Sequence, residues 1–260
     1  MTDAPVLYTV ADGVATITLN VPEQRNALSA TLIAGLDTAL DRATSDEAAR
    51  CVVLTSSHAS VWCAGGDLNT FRSDTPLIAK HLDFQRLMDV FERLANFPKP
   101  TIAALNGHAL AGGMGLAVCC DLLIASERAT LGTPEINIGA FPFMIMAVIF
   151  RAVPQKRANE LLLRGERISA HEAHDLGLVN RVVAPEAFDA TVAEWAQSLA
   201  SKSPLLVQMG KRAMAHQRDL PLHEALEYLR SQLSLAQATD DITEGVTAFF
   251  EKREPVWSGR

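Results

Sequence analysis

Thr101-Ile102-Ala103-Ala104-Leu105-Asn106-Gly107-His108-Ala109-Leu110-Ala111-Gly112-Gly113-Met114-Gly115 runs, after five more residues, into Asp121-Leu122-Leu123-Ile124-Ala125. Two short apolar runs bracket a glycine-rich segment. The stretch is apolar enough to suggest a membrane span, but Asn106, His108, Asp121 and four glycines interrupt it. Breakers and polar groups at that density predict a buried strand, a glycine-rich turn, a short helix and a second buried strand.

Outward from this segment the same alternation continues. Pro76 to Phe97 reads as a long helix closed by Pro98 and Pro100, and Cys51-Val52-Val53-Leu54-Thr55 as a buried strand. Ser29 is placed to cap a helix running to about Ala43. Val14 to Leu19 alternates after Asp12-Gly13, as the second arm of a hairpin does. Strands alternating with helices up to residue 183 predict an α/β domain. From residue 184 to 260 the pattern turns helical, with segments near 185–201, 204–217, 221–237 and 240–252. Such a tail covers a face of the core or builds an oligomer.

Composition narrows the class. The chain has 260 residues, 48% of them hydrophobic, and a formal charge of −7. That apolar content excludes a disordered chain, and the acidic balance leaves no surplus of cations for nucleic acid. Met1 to Pro5 shows no basic stretch leading into an apolar one, so no signal peptide is expected. Cys51, Cys63, Cys119 and Cys120 lack the spacing of a metal site or a disulfide framework and read as small core residues of a reduced, cytoplasmic protein.

No G-x-x-x-x-G-K-[ST], G-x-S-x-G or H-E-x-x-H occurs. His171 and His174 are three apart, and Ser169 with Glu172 reads as a capping box with Gly177 as the helix stop. His108 is expected to be packed or hydrogen-bonded in the core. Two glycine loops follow strands: Trp62-Cys63-Ala64-Gly65-Gly66-Asp67-Leu68, and Gly107 to Gly115. Each is either a tight turn or a source of outward N–H groups able to hold a developing oxyanion. Glu135, in Pro134-Glu135, lies among apolar residues that should raise its pKa toward a proton-transferring value. It reads equally as a capping or salt-bridged residue.

Taken in order, Asn20 to Leu28, Trp62 to Leu68, Asn106 to Ala109 with Gly112-Gly113, Pro134-Glu135, Arg167 to Ala170 with Gly177 to Val179, and Phe249 to Arg253 resemble the motifs of the crotonase superfamily. Within it, the sequence is similar to enoyl-CoA hydratase/isomerase proteins. The resemblance implies a spiral of ββα units followed by a C-terminal helical trimerisation region, assembled as a homotrimer or homohexamer. It implies acyl-CoA thioester substrates and neither metal nor redox cofactor, coenzyme A being part of the substrate. Residue by residue, it places the oxyanion donors on the N–H groups of Gly66 and Gly112 and a catalytic carboxylate on Glu135. It assigns CoA to the segments holding Arg25, Ala27, Leu28, Ala64, Asp67 and Leu68, with Phe249 and Lys252 at the nucleotide end, often from a neighbouring subunit.

Two departures accompany the match. The position of the family's first glutamate is Gly115. A single carboxylate suits a 1,3-proton shift better than water addition, which implies an isomerase or an atypical hydratase of fatty-acid-type substrates. A non-catalytic acyl-CoA-binding or regulatory homologue is the alternative, and a structural oligomer whose loops are only turns is a third. After Glu135, where relatives are glycine-rich, the chain has Phe141-Pro142-Phe143-Met144-Ile145-Met146-Ala147-Val148-Ile149-Phe150. Phe141, Phe143 and Met144 there either line an acyl pocket or belong to a helix that merely packs.

Overall fold

Asp12 and Gly13 both adopt positive φ, 50° and 81°, which turns the chain between β1 (Val6–Ala11) and β2 (Val14–Leu19). Paired positive-φ residues match the twist of a two-residue hairpin, and β1 and β2 pair antiparallel from Ala11↔Val14 outward. The computed structural model describes residues 4–72 and 74–260. Ser29 caps α1 (Ala30–Ser45) by accepting the Leu32 N–H at 3.3 Å.

Three ββα repeats follow. The first is β3 (Cys51–Ser56), β4 (Val61–Cys63) and then α2 (Asn69–Arg72) with α3 (Leu77–Ala95). In the second, β5 (Thr101–Leu105), β6 (His108–Leu110) and α4 (Gly112–Val118) occupy the segment expected to be strand, glycine turn, helix. The third is β7 (Leu122–Ser126), β8 (Thr130–Gly132), a 3-10 turn over Pro134–Ile138, and α5 (Phe143–Ala152). α6 (Gln155–Arg164), β9 (Arg167–Ser169), α7 (Ala170–Asp175) and β10 (Arg181–Val183) complete the α/β part. α8 (Phe188–Ala200), α9 (Pro204–Gln217), α10 (Leu222–Ala236) and α11 (Asp240–Glu251) form the helical remainder.

In each repeat the first strand joins one sheet and the second strand another. The larger sheet has the order β1-β2-β3-β5-β7-β10, and the smaller β4-β6-β8-β9. Beyond the hairpin every pairing in the larger sheet is parallel; in the smaller one only β9 runs antiparallel. This is the expected spiral of ββα units.

The continuous apolar runs of β3 and β5 reflect burial on both faces. Val52, Leu54, Ala103 and Leu105 face the main core between the sheets, whereas Cys51, Val53, Ile102 and Ala104 face α8. α8 meets them with Phe188, Val192, Ala196 and Ala200, spaced four residues apart on one helix stripe. Burying Phe188 and Val192 alone contributes about 3–6 kcal/mol. The second layer of the sheet therefore comes from beyond residue 183.

α9 is tied down by charge. Buried Lys211 pairs with Asp121, which also accepts from the Thr101 N–H (2.7 Å) and Oγ (2.9 Å). Asp121 thus lies just before β7, which starts one residue later than the expected strand. The Ser169–Glu172 capping box forms as expected, and Gly177 takes a left-handed φ of 82°. All four cysteines are buried and unpaired. None of the described helices is long and apolar enough to cross a membrane.

Candidate functional site

β4, β6 and β8 are parallel neighbours, so their C-terminal ends open on the same side of the smaller sheet. Three loops leave that edge. β4 leads to Gly65-Gly66, β6 to Gly112 and β8 to Glu135, so residues 70 positions apart in sequence leave the same sheet edge because their strands lie in a row.

Gly65 is the hinge of the first loop. Its φ of +98° is strained for any L side chain, and a Cβ there would stand 2.5 Å from Ala111 Cβ. That close approach sets the Gly66 nitrogen 3.7 Å from where a Cβ on Gly112 would be. Ala111 itself has φ 52° and ψ −132°, a conformation non-glycine residues rarely occupy, and no side chain caps the start of α4. Among the described residues neither the Gly66 nor the Gly112 N–H donates a hydrogen bond.

The Asn20–Leu28 segment braces this pair. Leu28 forms a parallel bridge with Gly66, donating its N–H to Gly65 O at 2.7 Å, while Ala64 N–H donates to Arg25 O at 3.0 Å. Arg25 and Asn26 are consecutive left-handed residues. The fully buried Asn26 side chain holds them, donating to Ser56 Oγ and Trp62 O and accepting the Val21 N–H. Backbone of Arg25, Ala27, Leu28, Ala64, Gly66 and Gly112 is therefore brought together. Asp67 accepts the Asn69 N–H at the start of α2, and Leu68 beside it is exposed.

Glu135 sits half-buried in the first turn of its 3-10 segment. Its Oε2, with Trp62 Nε1 and Asn106 Oδ1, is a buried side-chain polar atom without a hydrogen-bond partner among the described residues. No ion pair engages it among those residues. Burial raises its pKa above the ordinary glutamate value, offset in part by its own backbone N–H. The salt-bridged reading is thereby displaced: among the described residues no cation pairs with this carboxylate, and its Oε2 is buried without a partner.

His108 takes the expected core role, with Nδ1 accepting the Thr130 N–H at 3.2 Å and lying 2.9 Å from Thr130 Oγ1. Burial, then the charge of Arg167, lowers its pKa below the ordinary histidine value. Among the described residues no three His, Cys, Asp or Glu side chains converge as metal ligands.

The segment after Glu135 becomes α5, with Ile145 and Ile149 buried on one stripe, Phe141 and Met144 half-buried, and Phe143 70% exposed. The Phe141 and Phe143 rings lie 5.3 Å apart. Ile145 is the residue sequence reasoning missed. Gly115 is buried against it: a Cβ at position 115 would overlap Ile145 Cγ2 and come within 2.7 Å of Ile145 Cβ. The only signal in the sequence was an apolar run where glycine is expected, and that signal does not say which residue it meets.

Phe249 and Lys252 stand apart. They lie at the exposed end of α11, where Lys252 takes a left-handed cap conformation. Among the described residues no hydrogen bond or ion pair joins them to the glycine loops.

The family model for enoyl-CoA hydratase/isomerase matches residues 9–260. The (E)-benzylidenesuccinyl-CoA hydratase of Thauera aromatica is 35% identical over 98% of this chain and 99% of its own. The 2,3-dehydroadipyl-CoA hydratase of Escherichia coli K12 is 36% identical over 94% of each chain. Among solved structures, an enoyl-CoA hydratase from Mycobacterium smegmatis superimposes with a TM-score of 0.93 at 35% identity, covering 97% of this chain and 98% of that one. The chain belongs to the enoyl-CoA hydratase/isomerase family of the crotonase superfamily.

Proposed function

We propose that this family member catalyses a one-base 1,3-proton shift on an enoyl-CoA, with Glu135 as the base and the Gly66 and Gly112 N–H groups as the oxyanion donors. The observation that carries the reading is the Glu135 carboxylate, with its Oε2 buried and unpartnered among the described residues, at the same sheet edge as two unengaged N–H groups. With a 3-enoyl thioester, Glu135 removes a proton from C2. The C–H electron pair moves into C1=C2, and the thioester oxygen takes the charge between the two donors. Such preorganised donors are worth about 3–4 kcal/mol each. The protonated Glu135 then gives the same proton to C4, the double bond settles at C2=C3 and the carbonyl reforms. No other reactant is consumed.

The backbone around half-buried Ala64 and Asp67 and exposed Leu68 would follow the pantetheine, and Arg25 would supply a local cation for an anionic ligand on an acidic protein. Phe141, Phe143 and Met144 would receive an aliphatic tail. Leu222, Leu226, Leu233, Phe249 and Phe250 are all more than half exposed on the helical region, which fits burial in a trimer that also carries Lys252 to a neighbour's CoA. Sedimentation velocity showing a monomer at micromolar concentration would remove that assembly.

A hydratase is the second reading, favoured by the hydratases among the relatives. Mass spectrometry and ultraviolet assay of 3-enoyl-CoA and 2-trans-enoyl-CoA separates the two. Isomerisation abolished in Glu135→Gln is expected. Faster 3-hydroxyacyl-CoA formation than isomerisation overturns the proposal, as does activity unchanged in Glu135→Gln.

A further inference from the structure

We propose that Ile145 is the residue that specifies the reaction, by filling the volume beside Gly115 that a second acid–base group would need. This rests on the reading of Glu135 as the base.

Gly115 lies three residues after Gly112 on α4, hence on nearly the same helix face as the donor. Ile145 is in the first turn of α5, the helix that follows the Glu135 segment. It therefore packs its side chain against the helix that carries a donor. Gly115 and Ile145 are both buried, and Phe91 Cζ closes the volume from α3, 3.5 Å from where a Cβ on Gly115 would stand. A substitution at 115 has no room while Ile145 is present, because the overlapping atoms include a branched Cβ fixed to the helix rather than the free end of a long side chain.

The consequence is chemical. Hydration places a water hydroxyl on C3 and a proton on C2: one group must take the proton the water loses while another delivers the proton to C2. Glu135 can do one of these at a time. At position 115 the nearest atoms are methyl, methine and aromatic carbon, which neither orient water nor accept its proton. Ile145 and Gly115 thus act as a matched pair, and a polar group can enter this volume only when Ile145 changes.

The test is the ratio of 3-hydroxyacyl-CoA to positional isomer formed from enoyl-CoA by wild type, Gly115→Glu, Ile145→Ala and Gly115→Glu/Ile145→Ala. Gly115→Glu alone is expected to be thermally destabilised, and the double variant to fold and raise the ratio at least tenfold. A folded double variant with an unchanged ratio overturns the proposal while leaving the isomerase intact. A wild type that fails to isomerise points instead to the failure of the Glu135 reading. If the double variant does not fold, Ile145→Glu, which leaves Gly115 in place, decides by the same ratio. Thermal unfolding of Gly115→Ala gives an independent arm: it should be less stable than wild type and recover in the Ile145→Ala background. A Gly115→Ala protein as stable as wild type overturns the steric premise.

Discussion

Gly65→Ala is the sharpest perturbation that the glycine loops offer, because Gly65 donates nothing to substrate yet sets where Gly66 points. A Cβ at Gly65 would meet Ala111 Cβ at 2.5 Å and Leu110 O at 2.8 Å with φ at +98°. Holding a non-glycine residue at that φ costs about 1–3 kcal/mol, and overpacking of this kind adds about 1–3 kcal/mol. The strain is relieved only by moving the loop, which separates the Gly66 N–H from the Gly112 N–H. Loss of one oxyanion donor lowers kcat by about 10²–10³-fold. The comparison is Gly66→Ala, whose added Cβ would meet nothing within 4 Å and which should unfold at the wild-type temperature. Steady-state isomerisation kinetics and thermal unfolding of both variants measure this. A folded Gly65→Ala enzyme within about threefold of wild-type kcat would refute the donor geometry argued from the loop.

Glu135→Gln should lower turnover by at least about 10²-fold. In wild type, kcat/KM should rise with pH through a pKa above the ordinary glutamate value, since the carboxylate is the active form. The stability sign is opposite. Burial favours the neutral acid in the folded state, so Glu135's contribution is present at low pH and lost as pH rises through its raised pKa. Glu135→Gln should therefore be more stable than wild type in urea at pH 8, and the gap should close toward pH 4. Ser169→Ala removes the N-cap bond to Glu172 N–H and should cost about 1 kcal/mol with kcat unchanged, as read by denaturant midpoint and steady-state assay. Lys211→Met leaves Asp121, among the described residues, with only its Thr101 donors and should cost about 1–3 kcal/mol by denaturant unfolding. Lys211→Met/Asp121→Asn should recover part of that loss.

Local signals were legible where a few adjacent residues decide the conformation. Asp12-Gly13 specified the hairpin, Ser29 and Ser169 specified helix starts, and the breaks at Pro76, Pro98 and Pro204 bounded helices close to where α3 and α9 lie. The strands of the smaller sheet and β10 were not legible as separate elements. At three residues each, β4, β6, β8, β9 and β10 are too short to show a period of two, and pairing partners far along the chain create them. Glu135's character was half legible: apolar neighbours announced desolvation, but only the folded chain excludes a cation beside it. The stretch 141–150 left packing and pocket lining undecided. As α5 it packs through Ile145 and Ile149 and leaves Phe143 exposed.

What the smaller sheet does for the site follows from its register. Val61 pairs with His108, and Cys63 with Ala109, while Ala109 pairs with Leu131 and Leu110 with Gly132. Parallel strands lie about 4.8 Å apart, so loops leaving β4, β6 and β8 at matched ends deliver their groups in a row at that spacing. Two adjacent loops supply N–H groups and the third supplies a carboxylate. A thioester oxygen held between the first two would place its α- and γ-carbons toward the third. The one-residue irregularity between Val61 and Cys63 shortens the reach of β4 relative to β6 and lets Gly65 turn back against Ala111. Cys63 secures that turn from behind, donating its buried thiol to Asn26 O at 3.0 Å. Site precision is thus a property of strand pairing, and reaction choice a property of what α5 packs against α4. The two are carried by different contacts, so substitution at Ile145 can redirect the chemistry without disturbing the donors, whereas substitution at Gly65 disturbs the donors whatever the chemistry.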